Sequence, residues 1–123
     1  MMELFETLTP DFVFRDEKGL LTQLVHFGFT QVNVLKSKKG TQRGDHYHKV
    51  SREAFYVANG SVELTIRRDG QEQTKLFIEG DFFLIPVNTY HLMDFPEDCT
   101  LVALYDIPIE HEDGTKDIFV EEE

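Results

Sequence analysis

Residues 40–60 read Gly40-Thr41-Gln42-Arg43-Gly44-Asp45-His46-Tyr47-His48-Lys49-Val50-Ser51-Arg52-Glu53-Ala54-Phe55-Tyr56-Val57-Ala58-Asn59-Gly60. His46 and His48 stand at i and i+2, the spacing that points two side chains to one face of a strand. Glu53 follows, in phase with Phe55 and Val57 on the next alternating run. Two imidazoles and a carboxylate on one inner wall make three-quarters of a metal site, and His91, well downstream, is the candidate fourth ligand. Whether these four converge decides both the fold and the function.

The flanking sequence is rich in strand signals. Val62, Leu64 and Ile66 alternate cleanly with Glu63, Thr65 and Arg67, and Asn59-Gly60 before them is a turn. Asp69-Gly70 closes a hairpin onto residues 73–78, and residues 82–85 form an apolar strand that Pro86 ends. His91, Met93 and Phe95 share one face of a further strand, and Leu101, Ala103 and Tyr105 one face of the next. Upstream, residues 12–14, 20–24 and 27–34 read as extended, with residues 16–19 as a turn and 37–44 as a loop. In the 27–34 run both faces carry apolar residues, so both are expected to be partly buried. Residues 118–120 are a candidate last strand. Nine or ten short strands with turn signals every 8–12 residues, and no amphipathic helix, predict an all-β sandwich or barrel.

A chain of 123 residues suits one domain with one core, expected to span 1–123, with an N-terminal arm over 1–10 and an acidic tail over 117–123. The longest apolar run, residues 82–87, is too short to span a bilayer. The N-terminus has neither the basic region nor the apolar core of a signal peptide, and the single Cys99 has no intrachain partner, so a cytoplasmic location is expected. The net charge of −11 argues against a nucleic-acid binder. Residues 36–52 are the exception: Lys36, Lys38, Lys39, Arg43, Lys49 and Arg52 face one acid, Asp45. A cationic patch beside the candidate site, on an acidic body, points to an anionic small-molecule substrate, with Lys38, Lys39 and Arg43 as its contacts.

The spacing Gly40-x5-His46-x-His48-x4-Glu53-x6-Gly60 resembles the first motif of the cupin superfamily at every defined position. Gly80-x5-Pro86-x-Asn88-x2-His91 resembles most of the second. The resemblance covers roughly residues 30–105 and implies a double-stranded β-helix, the jelly-roll cupin barrel. It also implies that His46, His48, Glu53 and His91 hold one divalent transition metal: Zn, Fe, Ni or Mn. Three nitrogens and an oxygen suit any of these. An octahedral ion would keep two positions open, whereas a tetrahedral one bound by all four would be closed and structural. The family commonly has Gly at Asn88 and Asn at Phe95; Asn is the next best residue for a left-handed turn, and Phe95 removes a polar group but no ligand.

A second resemblance bears on chemistry. Gln31-Val32-Asn33, Lys38-Lys39-Gly40 and Arg43-Gly44-Asp45-His46-Tyr47-His48 are similar to segments of deoxysugar-nucleotide epimerases and ketoisomerases. They are similar also to the zinc-binding cupin domain of capsular-polysaccharide nucleotide-sugar reductases. The likeness implies an isomerase or epimerase that moves a proton beside the keto group of a deoxysugar nucleotide in polysaccharide biosynthesis. Arg43 would hold the diphosphate and Tyr105 would be the acid. In the metal-free epimerases the residue matching His46 is the base. A nitrogen bound to a metal has no lone pair for a proton, so His46 is ligand or base, and if it is a ligand the base is unknown. The rival readings are a metal-dependent dioxygenase or other small-acid cupin enzyme, and a non-catalytic sugar- or ligand-binding cupin. The cupin resemblance implies a homodimer, which also protects open strand edges.

Overall fold

The computed structural model describes residues 3–121. Eleven strands and no helix occur among them: β1 (Glu6–Thr7), β2 (Phe12–Asp16), β3 (Gly19–Gln23), β4 (Gln31–Ser37), β5 (Gln42–His46), β6 (Glu53–Asn59), β7 (Ser61–Arg68), β8 (Gln71–Ile78), β9 (Phe82–Ile85), β10 (Tyr90–Asp94) and β11 (Cys99–Tyr105). A five-stranded sheet in the order β1-β9-β6-β11-β4 packs on a four-stranded sheet, β5-β10-β7-β8. From β4 onward the chain passes repeatedly from one sheet to the other, the jelly-roll path, with every neighbouring pair antiparallel. The hairpin β2–β3 forms a separate two-stranded sheet. Among the described residues no helix is long and apolar enough to cross a membrane.

The period-two pattern decides what lies between the sheets. Phe55 and Val57 of β6, Leu101 and Ala103 of β11, Val62, Leu64 and Ile66 of β7, and Met93 of β10 are all buried on the facing walls. Phe77 stacks on Phe83, ring centres 3.8 Å apart, and Phe83 meets Phe55 at 5.6 Å. At one end this apolar interior gives way to polar groups. Glu53 opens the β6 row, Tyr105 stands opposite it on β11, and His91 continues the row of Met93 on β10.

Asn59-Gly60 is the turn that the sequence predicts, but it joins β6 of one sheet to β7 of the other and makes no hairpin. Gly60 has φ 82°, and a Cβ there would lie 2.2 Å from the Asp98 carbonyl oxygen. Asp69-Gly70 does close a hairpin, β7–β8. Asn88 adopts φ 57°, the left-handed geometry for which Asn substitutes for Gly.

Several expectations need correction. The 27–34 run becomes β4 only from Gln31, and its outer face is open, with Val32 and Val34 exposed, because the cluster of Leu8, Leu24, Val25 and Phe29 that covers β6, β9 and β11 does not extend over them. The expected loop 37–44 contains the start of β5, whose polar residues ladder onto β10 through backbone groups that composition does not reveal. The expected last strand shrinks to one bridge, Tyr47 to Phe119. The N-terminal arm is docked: Leu4 and Phe5 are core residues and β1 pairs with β9. The tail also begins inside the protein, with Asp117 buried. Met1 and Met2 of the expected arm, and Glu122 and Glu123 of the expected tail, lie outside the described residues.

Candidate active site

Four donors meet at the polar end of the interior. One ligating atom from each of His46, His48, Glu53 and His91 lies within 4.8 Å of the others. His46 ends β5 and pairs with His91 of β10, while Glu53 opens β6 in the opposite sheet. The set therefore bridges the two layers. His48, Glu53 and His91 are buried, 4%, 3% and 1% exposed, and His46 is half-buried.

A bulge sets the parity of this wall. His46 pairs with His91 but Gly44 with Leu92, so Asp45, at φ 64°, is the extra residue. Arg43 pairs with Met93. Three residues apart on a regular strand, Arg43 and His46 would point to opposite faces; the bulge returns both to inner-facing rows. The adjoining Gly44 has no room for a side chain, since a Cβ would lie 2.9 Å from the His91 carbonyl oxygen.

Hydrogen bonds orient two of the rings. The His48 Nδ1–H donates to the Asp117 carbonyl at 2.6 Å, and the His91 Nδ1–H to the Thr89 carbonyl at 3.3 Å. A carbonyl only accepts, so each Nδ1 carries the proton and each Nε2 is turned to the centre. Nε2 of His48 lies 3.0 Å and Nε2 of His91 3.4 Å from the same Glu53 oxygen. Ligand atoms held about 2.1 Å from a tetrahedral ion lie roughly 3.4 Å apart. In donor chemistry, ring orientation and spacing, the four residues fit a first-row divalent metal.

The charges follow from this geometry. Burial alone would push the Glu53 carboxyl up, but hydrogen bonds from His48 and His91 bring it down to about 2. Burial, and then the neighbouring His91 and His48, lower His46 to about 4. Burial opposes protonation of His48 as well, yet its bond to Glu53 leaves it above 6.5. In the metal-free protein these shifts place the stability maximum near pH 6.5. Below that the unfolded chain gains a proton on His46 that the folded chain refuses until about pH 4, so stability falls as pH drops. Above 6.5 the stability from protonated His48 is lost as pH rises through its folded value. Urea unfolding of chelator-treated protein at pH 4.5, 6.5 and 8.5 checks this, and His46→Asn should flatten the acid limb.

The other predicted site residues divide. Tyr105 lies at the centre's edge, its ring 6.0 Å from that of His48, and burial followed by the Glu53 charge holds its hydroxyl protonated. Arg43 is exposed and crosses from β5 to the edge of the other sheet, its Nε donating to Ser37 Oγ at 2.7 Å and its Nη2 to the Lys36 carbonyl at 3.3 Å. Lys38 and Lys39 are not brought to the imidazoles. They follow β4 at the far end of the β5–β10 ladder, on the order of 10 Å along the strands. Asp117 and the Thr89 carbonyl, which aim two of the rings, carry no sequence signal, because they act through backbone groups or from far along the chain. His26 and His111 stand apart, beside Asp11 and Thr115.

The fold is one already seen in solved structures. QdtA, a sugar 3,4-ketoisomerase from Thermoanaerobacterium thermosaccharolyticum in complex with TDP, is similar with TM-score 0.81 and 21% identity, covering 98% of this chain and 90% of that one. The WlaRB TDP-quinovose 3,4-ketoisomerase from Campylobacter jejuni gives 0.82 at 17% identity, covering 98% and 95%. The dTDP-4-dehydrorhamnose 3,5-epimerase from Sulfolobus tokodaii gives 0.67 at 19%, covering 84% and 75%. The shared architecture is the cupin jelly roll that the sequence predicts. No curated protein matches the chain. A family model described as Polysaccharide biosynthesis C-terminal domain matches residues 14–94, well over half the sequence, and the chain belongs to that family.

Proposed function

We propose that this chain is a single-domain, metal-dependent isomerase or epimerase acting on a keto-deoxysugar nucleotide in polysaccharide biosynthesis. The observation that carries the proposal is the buried three-imidazole, one-carboxylate centre with Tyr105 at its edge. The family's description and the ketoisomerases and epimerase that share the fold support the substrate class.

His46, His48, Glu53 and His91 hold the metal: Zn, Fe, Ni or Mn. When bound, it supplies a Lewis acid for negative charge developing on the sugar's keto oxygen. The surrounding chain does the rest. Phe55, Met93 and Ile66 close the interior behind the centre and keep water from it. Tyr105 keeps its proton at neutral pH and is the group placed to deliver one. The free N–H groups of Arg43, at the open edge between the sheets, meet the diphosphate.

A second reading rests on His46. It is the least buried of the three rings and is neutral above about pH 4, so without a metal it is equipped to be the base at the carbon beside the keto group. Metal analysis of the purified protein, followed by solvent-deuterium incorporation into 4-keto-6-deoxysugar nucleotides, separates the readings. Bound metal with exchange supports the proposal, and exchange in metal-free protein selects His46 as base. Oxygen consumption with a small acid sinks both, and nucleotide-sugar binding without exchange leaves a binding module.

The proposal includes a cytoplasmic location, supported by the single, buried and unpaired Cys99. It also includes a homodimer. Phe12, Val13, Phe14, Leu20 and Leu21 on the β2–β3 hairpin are each at least half exposed, and a lone hairpin with such a surface is not stable by itself. A second copy offers a matching surface, the exposed Val32 and Val34 on edge strand β4. Phe14→Asp should convert the dimer to monomer in sedimentation; an unchanged dimer rules out the hairpin as the interface.

A further inference from the structure

The sequence predicts an acidic tail over 117–123, yet Asp117 is 2% exposed. Its carboxylate accepts three consecutive backbone N–H groups, from Lys49 at 2.8 Å, Val50 at 3.0 Å and Ser51 at 2.8 Å. Its backbone carbonyl accepts the Nδ1–H of His48 at 2.6 Å. One residue thus holds both the ring of His48 and the loop that leads from His48 to Glu53. The segment is itself anchored: Asp117 N–H donates to the Ile109 carbonyl at 3.0 Å, and Phe119 and Tyr47 exchange two backbone bonds of 2.9 and 3.0 Å.

We propose that Asp117 is the positioning residue of the centre, setting the tautomer and direction of His48 and the reach of the loop to Glu53. This deepens the metal reading and rests on it. Anchoring the C-terminal segment needs only the Tyr47–Phe119 and Ile109 bonds. The carboxylate does something further: it gathers three N–H groups that would otherwise leave the loop free to swing Glu53 and His48 apart. The carbonyl holds the proton on Nδ1, so that Nε2 donates to Glu53 at 3.0 Å when the ring is protonated and keeps its lone pair for a metal when the ring is neutral. The Thr89 carbonyl aims His91 in the same way, but only Asp117 adds a carboxylate that ties down the loop to Glu53.

The test uses the full chain. Asp117→Asn swaps one acceptor oxygen for an NH2 that faces N–H donors. Ser51→Ala is the comparator, removing a bond to the Ile107 carbonyl from the same loop without touching His48. Zinc affinity is measured by competition with a chromophoric chelator, and His48 in metal-free protein by long-range 1H–15N NMR. Asp117→Asn should weaken zinc binding about 10- to 100-fold and lose the protected Nδ1–H signal. Ser51→Ala should lower Tm while keeping both. The proposal is overturned if Asp117→Asn lowers Tm alone, or if Ser51→Ala weakens zinc equally. If the wild-type protein binds none of zinc, iron, nickel or manganese, the metal reading fails and the NMR signal decides: a protected His48 Nδ1–H that needs Asp117 supports positioning, and its absence from wild type overturns it. The wild-type spectrum stands as a test even if Asp117→Asn does not fold.

Discussion

Glu53→Ala is expected to abolish metal retention and to destabilise the metal-free protein together. Glu53 is 3% exposed, and one of its oxygens serves both His48 and His91. Removing it takes away the hydrogen-bond acceptor and counter-charge that favour protonation of His48, and the carboxylate beside the buried His91 Nε2. Breaking one side of a buried pair of this kind costs about 3–5 kcal/mol. The loss should be seen as a lower urea midpoint in chelator-treated protein. Glu53→Gln keeps one acceptor oxygen without the charge, and should fall between wild type and Ala in stability while still losing the metal. Turnover in both variants should drop by about 100-fold or more if charge stabilisation at the centre drives the chemistry. An Ala variant that unfolds at the wild-type midpoint, with metal bound, would remove Glu53 from the centre.

Gly60→Ala should be about as damaging, from a position that touches no substrate. The new methyl would lie 2.2 Å from the Asp98 carbonyl oxygen and 3.0 Å from the Cys99 Cα, on backbone at φ 82°. Neither side can yield cheaply. Asp98 accepts the Lys39 N–H at 2.9 Å, and the next residue, Ser61, donates to Glu97 at 2.7 Å, so both turns are tied to each other and to the β4–β5 connection. Gly70 is the control: φ 77°, with nothing within 4 Å of a Cβ. Gly70→Ala should cost about 1–2 kcal/mol, the left-handed penalty alone, and Gly60→Ala about 3 kcal/mol or more once the clash is added. Urea unfolding of the pair measures the difference. Equal losses would mean that the β6–β7 corner yields.

The four donors were legible because their signals are local. Glu53 is in phase with Phe55 and Val57 on β6 and His91 with Met93 on β10, while His46 and His48 keep the i, i+2 spacing although β5 ends at His46 and His48 begins the loop beyond it. Alternation also marked Val62, Leu64 and Ile66 as core, and the resemblance to the second cupin motif marked Asn88 as a left-handed turn. Lys38 and Lys39 are close to His46 in sequence but not in space, since β5 runs away from that turn before His46 is reached. Arg43 lies between the two cases. Simple counting puts it on the opposite face from His46, and only the extra residue Asp45 brings it back. Asp117 was invisible, since its partners are backbone N–H groups 66–68 positions away, and any acidic residue in a tail looks solvated.

By itself, then, the sequence determined the all-β character and the inward-facing rows, because residue type and period-two spacing are written along each strand, and its motif spacing marked the four candidate donors. Only the tertiary structure decided which rows face each other, which cations stand near the imidazoles, and what holds His48 in place. Those depend on ladder register, on one bulge and on hydrogen bonds to backbone groups distant in the chain. Backbone groups are the same at every residue, so composition carries no record of them.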